Sequence, residues 1–163
     1  MQGKEIEKKW LLKYIPFEVI EKGAQFYAET DYLSFENEVR LRKLIKADGT
    51  TDYIISFKTP GGMIRNETNL TIPPDVYDEL RTYSLAKNVR IYWVYDEFVF
   101  TQVNRGSEIT PYKQLLYLER EFKTPEEAEK FDLSQYAWIC DCVEKDITND
   151  QKYKMKNWTR SKK

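Results

Sequence analysis

Five short segments alternate charged and apolar residues, so on extended chain each sorts its chemistry onto one face. Glu5, Glu7 and Lys9 share a face opposite Ile6. Arg40 and Arg42 lie opposite Val39 and Leu41, while Ser56 and Lys58 lie opposite Ile55 and Phe57. Arg65, Glu67 and Asn69 face away from Ile64 and Leu70, and Glu119 and Glu121 face away from Leu116, Leu118 and Phe122. Taken singly, each pattern suits an antiparallel sheet with one wet face, whose charges merely keep it soluble. Taken together they cluster like charges, whereas a surface built for solubility intersperses signs. Two Glu-x-Glu pairs could converge on an oxygen-rich site for Mg²⁺ or Mn²⁺, hard ions that prefer carboxylate and water. The Arg and Lys faces could clamp a polyanion, because guanidinium binds phosphate oxygens in a bidentate fork. A barrel that closes with these faces inward brings both halves into one metal–phosphate site.

The elements that must position these residues are mostly strands. Asp48-Gly49 separates Asn37–Lys46 from Tyr53–Lys58 and marks a tight hairpin. Gly61-Gly62 separates Lys58 from Met63–Ile72, and Asp96-Glu97 separates Val89–Tyr95 from Phe98–Asn104. With Lys4–Trp10, Leu115–Phe122 and the weaker Gly23–Leu33, the count reaches about eight, at which a closed barrel becomes feasible. Helices are expected to be short and peripheral: one from Pro16 to Lys22, one opening at Pro73-Pro74-Asp75, and one capped by Thr124-Pro125-Glu126-Glu127 and running to about Phe131. The reading is a single α+β domain over 1–163, with a basic tail from Lys152 that reads as a solvated end. Trp10, Trp93, Trp138 and Trp158 are expected to pack helices against the barrel's outer wall.

Composition removes several classes of function. The chain has no histidine, which excludes Ser-His, Cys-His and His-metal mechanisms and leaves carboxylates, Lys, Arg, Tyr, Cys or a hard metal. Cys140 and Cys142 are too few for a zinc site and read as structural thiols. The charge balance of 26 basic against 27 acidic residues lacks the excess of a dedicated nucleic-acid binder. An aromatic content of 15% argues against a disordered chain. No apolar run is long enough to span a membrane as a helix, and Met1–Lys9 lacks the apolar stretch of a signal peptide, so a cytoplasmic location is expected.

The motifs resemble one family in order along the chain. Glu5-Ile6-Glu7-Lys8-Lys9 is similar to the Glu-x-Glu-x-Lys motif of the CYTH superfamily, the triphosphate tunnel metalloenzymes. Glu38-Val39-Arg40-Leu41-Arg42 resembles its Arg-Leu-Arg strand, and Lys58 with Gly61-Gly62, Arg65 and Glu67 its glycine-containing hairpin. Arg90 falls where a strand arginine belongs. Leu118-Glu119-Arg120-Glu121-Phe122 resembles the late Glu-x-Glu strand, and Asp146-Ile147-Thr148 through Lys152-Tyr153 the closing segment.

The resemblance implies an eight-stranded antiparallel barrel enclosing a tunnel. It implies metal binding by Glu5, Glu7, Glu119 and Glu121, with Glu67 as a further acid, and a triphosphate grip by Lys9, Arg40, Arg42, Lys58, Arg65, Arg90 and Lys152. Glu5, Glu7 and Lys9 would be the catalytic residues, and Mg²⁺ or Mn²⁺ the cofactor. The implied reaction is hydrolysis of inorganic triphosphate or an organic triphosphate. Adenylate cyclisation on the same barrel, and non-catalytic binding of polyphosphate, a nucleotide or an RNA 5′-triphosphate end, are the alternatives. Two positions depart from the family pattern: Asn69 follows Glu67 where a second acid is usual, and Gln102-Val103-Asn104 stands where an Asp is common. A second metal would bind weakly at such a site.

Overall fold

The computed structural model describes residues 2–161; Met1 and the last two residues of the basic tail, Lys162 and Lys163, lie outside it. Its nine strands are β1 (Gln2–Leu12), β2 (Ala24–Ser34), β3 (Glu38–Lys46), β4 (Thr51–Lys58), β5 (Ile64–Thr71), β6 (Ala86–Tyr95), β7 (Phe98–Arg105), β8 (Leu115–Glu121) and β9 (Val143–Asp146). Eight of them form one antiparallel sheet in the order β5-β4-β3-β2-β6-β7-β8-β1, and β1 pairs back onto β5 to close the barrel. The expected α+β architecture, a closed eight-stranded barrel with short helices outside, is the one observed.

β1 is the seam. Its first half pairs with β5, placing Glu5 opposite Arg65, and its second half pairs with β8, placing Glu7 opposite Glu121 and Lys9 opposite Glu119. Beyond the end of β5, β9 continues on β1, with Trp10 opposite Asp146. β9 was not foreseen. It is four residues long and mostly charged, so it carries no alternation to read.

The hairpins follow their turn residues. At Asp48-Gly49 the glycine adopts φ +85°, and the Asp48 carboxylate accepts from the Thr50 N–H. At Asp96-Glu97, Asp96 takes φ 53° and Tyr95 pairs directly with Phe98. Gly61 needs its missing side chain, since a Cβ there would come within 2.4 Å of the Ile64 carbonyl oxygen.

Alternation puts apolar side chains outside and polar ones inside the barrel wall. Trp10, Trp93, Phe98, Phe100 and Leu118 form an outer cluster. The helices α1 (Phe17–Lys22), α3 (Pro125–Lys130) and α4 (Ala137–Cys140) lie on that side, and Val19 and Ile139 are fully buried there. Trp138 stacks on Phe100. Thr124 accepts from the Glu127 N–H, the N-cap expected at the start of α3. Replacing the fully buried Leu118 by Ala is expected to cost about 2–5 kcal/mol in urea unfolding; a loss below 1 kcal/mol would show that the outer cluster is not a packed core.

The basic tail is not a free end. Residues Gln151–Tyr153 form a 3₁₀ turn and α5 (Met155–Arg160) follows, crossing one end of the barrel. Trp158 and Ile147 pack there with Leu11, Val103, Leu115 and Tyr117. Thus three of the four tryptophans serve the outer wall and Trp158 helps to close the inside. Arg105 donates to the Trp158 carbonyl at 2.7 Å, Asn88 donates to the Thr159 hydroxyl at 2.8 Å, and Lys156 donates to the Phe35 carbonyl at 2.9 Å. Of the tail's own charges, Lys156 takes part in this anchoring. A remaining helix, α2 (Pro74–Leu80), packs against β4 through Tyr77 and Tyr53. No helix among the described residues is long and apolar enough to cross a membrane.

Candidate functional site

The interior of the barrel holds a cavity of about 190 Å³. It is lined by seven carboxylates (Glu5, Glu7, Glu38, Glu67, Glu119, Glu121 and Asp150) and seven cations (Lys9, Arg40, Arg42, Lys58, Arg65, Arg90 and Lys154). Charge is therefore balanced overall. It is not evenly mixed.

One group is a carboxylate cluster on the seam. Because Glu7 and Glu121 are directly opposed across β1 and β8 and Glu5 lies two residues along the same face, one oxygen of each falls within 4.8 Å of the others. Like charges so placed repel each other unless something bridges them. Burial, then the charges of Glu119 and Glu5, push the Glu7 carboxyl well above the usual carboxylate range. Glu121 is raised by burial and by Glu5 and Glu119. Glu5 goes the other way. Burial opposes its ionisation, yet Lys58, a hydrogen bond with Glu67 and Arg65 hold it below the usual range. Three hard oxygen donors converging in this way suit Mg²⁺ or Mn²⁺, hard ions that take carboxylate oxygens. Glu5, Glu7 and Glu121 could hold such an ion, with Glu119 beside Glu7.

Beside the cluster lies an ion-pair network. The Lys58 ammonium is 3.1 Å from Glu5 and 3.8 Å from Glu67; Arg65 is 3.4 Å from Glu5 and 3.6 Å from Glu38. Glu67 also accepts from the Asn69 amide at 2.9 Å, and Asn69 in turn accepts from Ser56. Glu67 is thereby tied into this network, and it meets the three-carboxylate cluster at Glu5.

Deeper in the barrel lies the cationic group. Arg90, 4% exposed, uses four of its five N–H donors: it donates to Asn88 at 2.9 Å, Tyr32 at 3.1 Å, Tyr92 at 3.2 Å and Tyr117 at 3.4 Å. Its partners are neutral oxygens, so its charge is solvated without being neutralised. Arg40, 6% exposed, and Arg42 each have a buried Nε–H with no hydrogen-bond partner. Neither forms an ion pair among the described residues. Unpartnered buried donors on cations are costly unless an anion completes them. Lys9 donates to the Tyr153 carbonyl at 3.0 Å and lies over the Tyr117 ring, and burial lowers its pKa to about 8. Tyr92 is affected in the opposite sense: burial would raise it, but Arg90, Arg42 and Arg40 bring its phenol down to about 8.

All but one of the residues singled out from the sequence line this cavity: Glu5, Glu7, Lys9, Arg40, Arg42, Lys58, Arg65, Glu67, Arg90, Glu119 and Glu121. Lys152 does not. Asp150 caps the 3₁₀ turn by accepting from the Lys152 N–H, and this turn places the Lys152 ammonium 5.2 Å from the Tyr153 ring. Lys154, two residues on, lines the cavity instead and donates to the Gly62 carbonyl at 3.1 Å. The two departures from the family pattern also separate. Gln102 pairs across the sheet with Ile91 and Leu116 on the outer face, where it bonds to Asn104 and the Thr110 carbonyl. That change does not touch the cavity. Asn69 is inside, as the group that holds Glu67.

Sequence reasoning did not single out Glu38, Tyr92, Tyr117, Thr148 and Asp150. The two tyrosines share alternation parity with Arg90 and Glu119, so that parity was the signal that could have found them. Thr148 and Asp150 lie on irregular chain with no alternation to read; their signal was the resemblance of the segment from Asp146 to Tyr153 to the closing motif.

A scan of protein-family models returns no match, and neither does a search of curated proteins. Solved structures do match. The inorganic triphosphatase NE1496 superposes with a TM-score of 0.57 at 21% identity, covering 96% of this chain and 98% of that one. The PH1819 protein from Pyrococcus horikoshii OT3 superposes with a TM-score of 0.55 at 18% identity, covering 87% and 92%. With its barrel closed on the residues that carry the sequence motifs, this chain shares the fold of these two structures over most of its length.

Proposed function

We propose that this barrel is a metal-dependent phosphohydrolase acting on a small-molecule triphosphate, with inorganic triphosphate as the minimal substrate. The observation that carries this reading is the polarised cavity: three carboxylates converge on one side, and buried guanidinium donors without partners face the same space. Similarity to an inorganic triphosphatase over almost the full length of both chains supports it.

In this reading Arg40 and Arg42 bond phosphate oxygens with the Nε–H groups that now lack acceptors, and Lys9 adds a third positive charge. Arg90 contributes field while its phenol and amide partners hold it still, so it needs no reorganisation when charge develops on the phosphate. Glu5, Glu7 and Glu121 would hold Mg²⁺ or Mn²⁺, which when bound would supply charge neutralisation on the phosphate oxygens and activation of the attacking water. Glu119, opposite Lys9 on the neighbouring strand, adds a negative charge that favours the charged ammonium. The C-terminal segment closes one end and keeps bulk water from diluting these charges.

The test is phosphate release from inorganic triphosphate, ATP and thiamine triphosphate with Mg²⁺, Mn²⁺ or chelator, scoring cyclic AMP and pyrophosphate from the ATP arm. Metal-dependent phosphate from at least one substrate, abolished by chelator, is the expected result. Cyclic AMP with pyrophosphate, or no product in any arm, overturns it.

A further inference from the structure

Resting on that reading of the cavity, we propose that Glu5 exchanges partners. Without a divalent ion it holds Lys58 and Arg65; a divalent ion that takes Glu5 frees both cations for phosphate, so that metal and anion bind with positive coupling.

Glu5 belongs to two constellations at once. It is one corner of the three-carboxylate cluster, and it is also the nearest anion to Lys58, at 3.1 Å, and to Arg65, at 3.4 Å. All three side chains are largely buried, at 9%, 4% and 15% exposure. In such a place a charge left without a partner is expensive, so what counts is who pairs with whom in each state. An anion that engages Lys58 and Arg65 without a metal must draw them off Glu5 and strand a buried carboxylate beside two others. A metal entering alone takes Glu5 and leaves Lys58 and Arg65 with only their longer contacts, 3.8 Å to Glu67 and 3.6 Å to Glu38. When both are present every charge is paired. The doubly loaded state is therefore favoured beyond the sum of the two single ones, and the linkage must be reciprocal. Glu121 supplies the contrast. It is in the same cluster but has no ion pair among the described residues, so it lends the metal a ligand and releases nothing.

The experiment measures binding, not turnover. Sulfate serves as the anion because it chelates divalent ions far more weakly than triphosphate does, and Mn²⁺ serves as the metal; both are titrated calorimetrically into the full chain. In the wild type, saturating Mn²⁺ is expected to tighten sulfate binding at least ~5-fold, and sulfate to tighten Mn²⁺ binding by the same factor. Glu5→Gln and Glu121→Gln remove the same charge from the same cluster and are nearly isosteric, so a melting curve suffices to confirm folding. Without metal, Glu5→Gln is expected to bind sulfate at least ~5-fold more tightly than Glu121→Gln, because only it frees Lys58 and Arg65. Equal sulfate affinity in the two variants, or Mn²⁺ binding to the wild type without any effect on sulfate, overturns the exchange. Phosphate release from triphosphate is scored separately in the same buffer. Coupling without release keeps the exchange and removes the hydrolase reading; release without coupling does the reverse.

Discussion

Replacing Glu7 by Gln is expected to lower phosphate release from inorganic triphosphate at least ~100-fold at saturating Mn²⁺, the scale of losing one charge-stabilising group in a water-poor site. Glu7 is the middle residue of the cluster: Glu5 lies two residues before it, Glu121 opposite it, and Glu119 presses on it electrostatically. The amide keeps the shape and hydrogen-bonding size of the carboxylate but supplies no negative charge to a cation. Because the change also relieves repulsion among buried acids, the melting temperature without metal should hold or rise, which separates lost chemistry from lost folding. Glu67→Gln is the matched comparison. Glu67 is taken up by Asn69 and Lys58 and stands outside the three-oxygen cluster, so its loss should cost less than ~10-fold. Steady-state release assays on the three proteins decide it. Equal activity in Glu7→Gln and wild type removes the metal assignment.

The second large effect is on the cationic side. Arg42→Met is expected to raise the KM for triphosphate at least ~30-fold, about 2 kcal/mol, the low end for truncating one partner of a desolvated charge pair. It should do so without lowering the melting temperature, because among the described residues Arg42 forms no ion pair and its buried Nε–H has no acceptor to leave unpaired. Arg90→Met should behave differently. It strips the donor from three phenols and from Asn88, and unpaired buried polar groups cost about 1–3 kcal/mol each, so this variant should lose stability as well as binding. Thermal melts with and without triphosphate separate the two behaviours. An Arg42→Met protein whose KM matches the wild type shows that this face does not grip substrate.

Much of this site was legible because strand alternation is a local property. Glu5, Glu7 and Lys9 must share a face wherever the strand ends up, and Ile6 must take the other; closure of the barrel then decides only which face is inside. Cross-strand relations were not legible. That Glu7 opposes Glu121 and Glu5 opposes Arg65 depends on β1 pairing with β8 along one half and β5 along the other, a register no single segment encodes. The tail misled for a related reason. Its lysines read as solvated, but Trp158 and Thr159 among them find partners more than fifty residues away, and the Asp150-capped turn puts Lys154 rather than Lys152 at the cavity. Gln102 gave the opposite error. Its place in the motif suggested a lost ligand, whereas its parity with Phe98 and Phe100 puts it on the outer wall.

The measurement closest to the central claim is a crystal structure of the full chain grown with Mn²⁺ and inorganic triphosphate, with anomalous scattering collected to locate the metal. The account predicts one manganese peak among the carboxylates of Glu5, Glu7 and Glu121, and phosphate oxygens on the Nε–H groups of Arg40 and Arg42. Manganese elsewhere, or triphosphate bound outside the barrel with those two guanidinium groups still unpartnered, would contradict it.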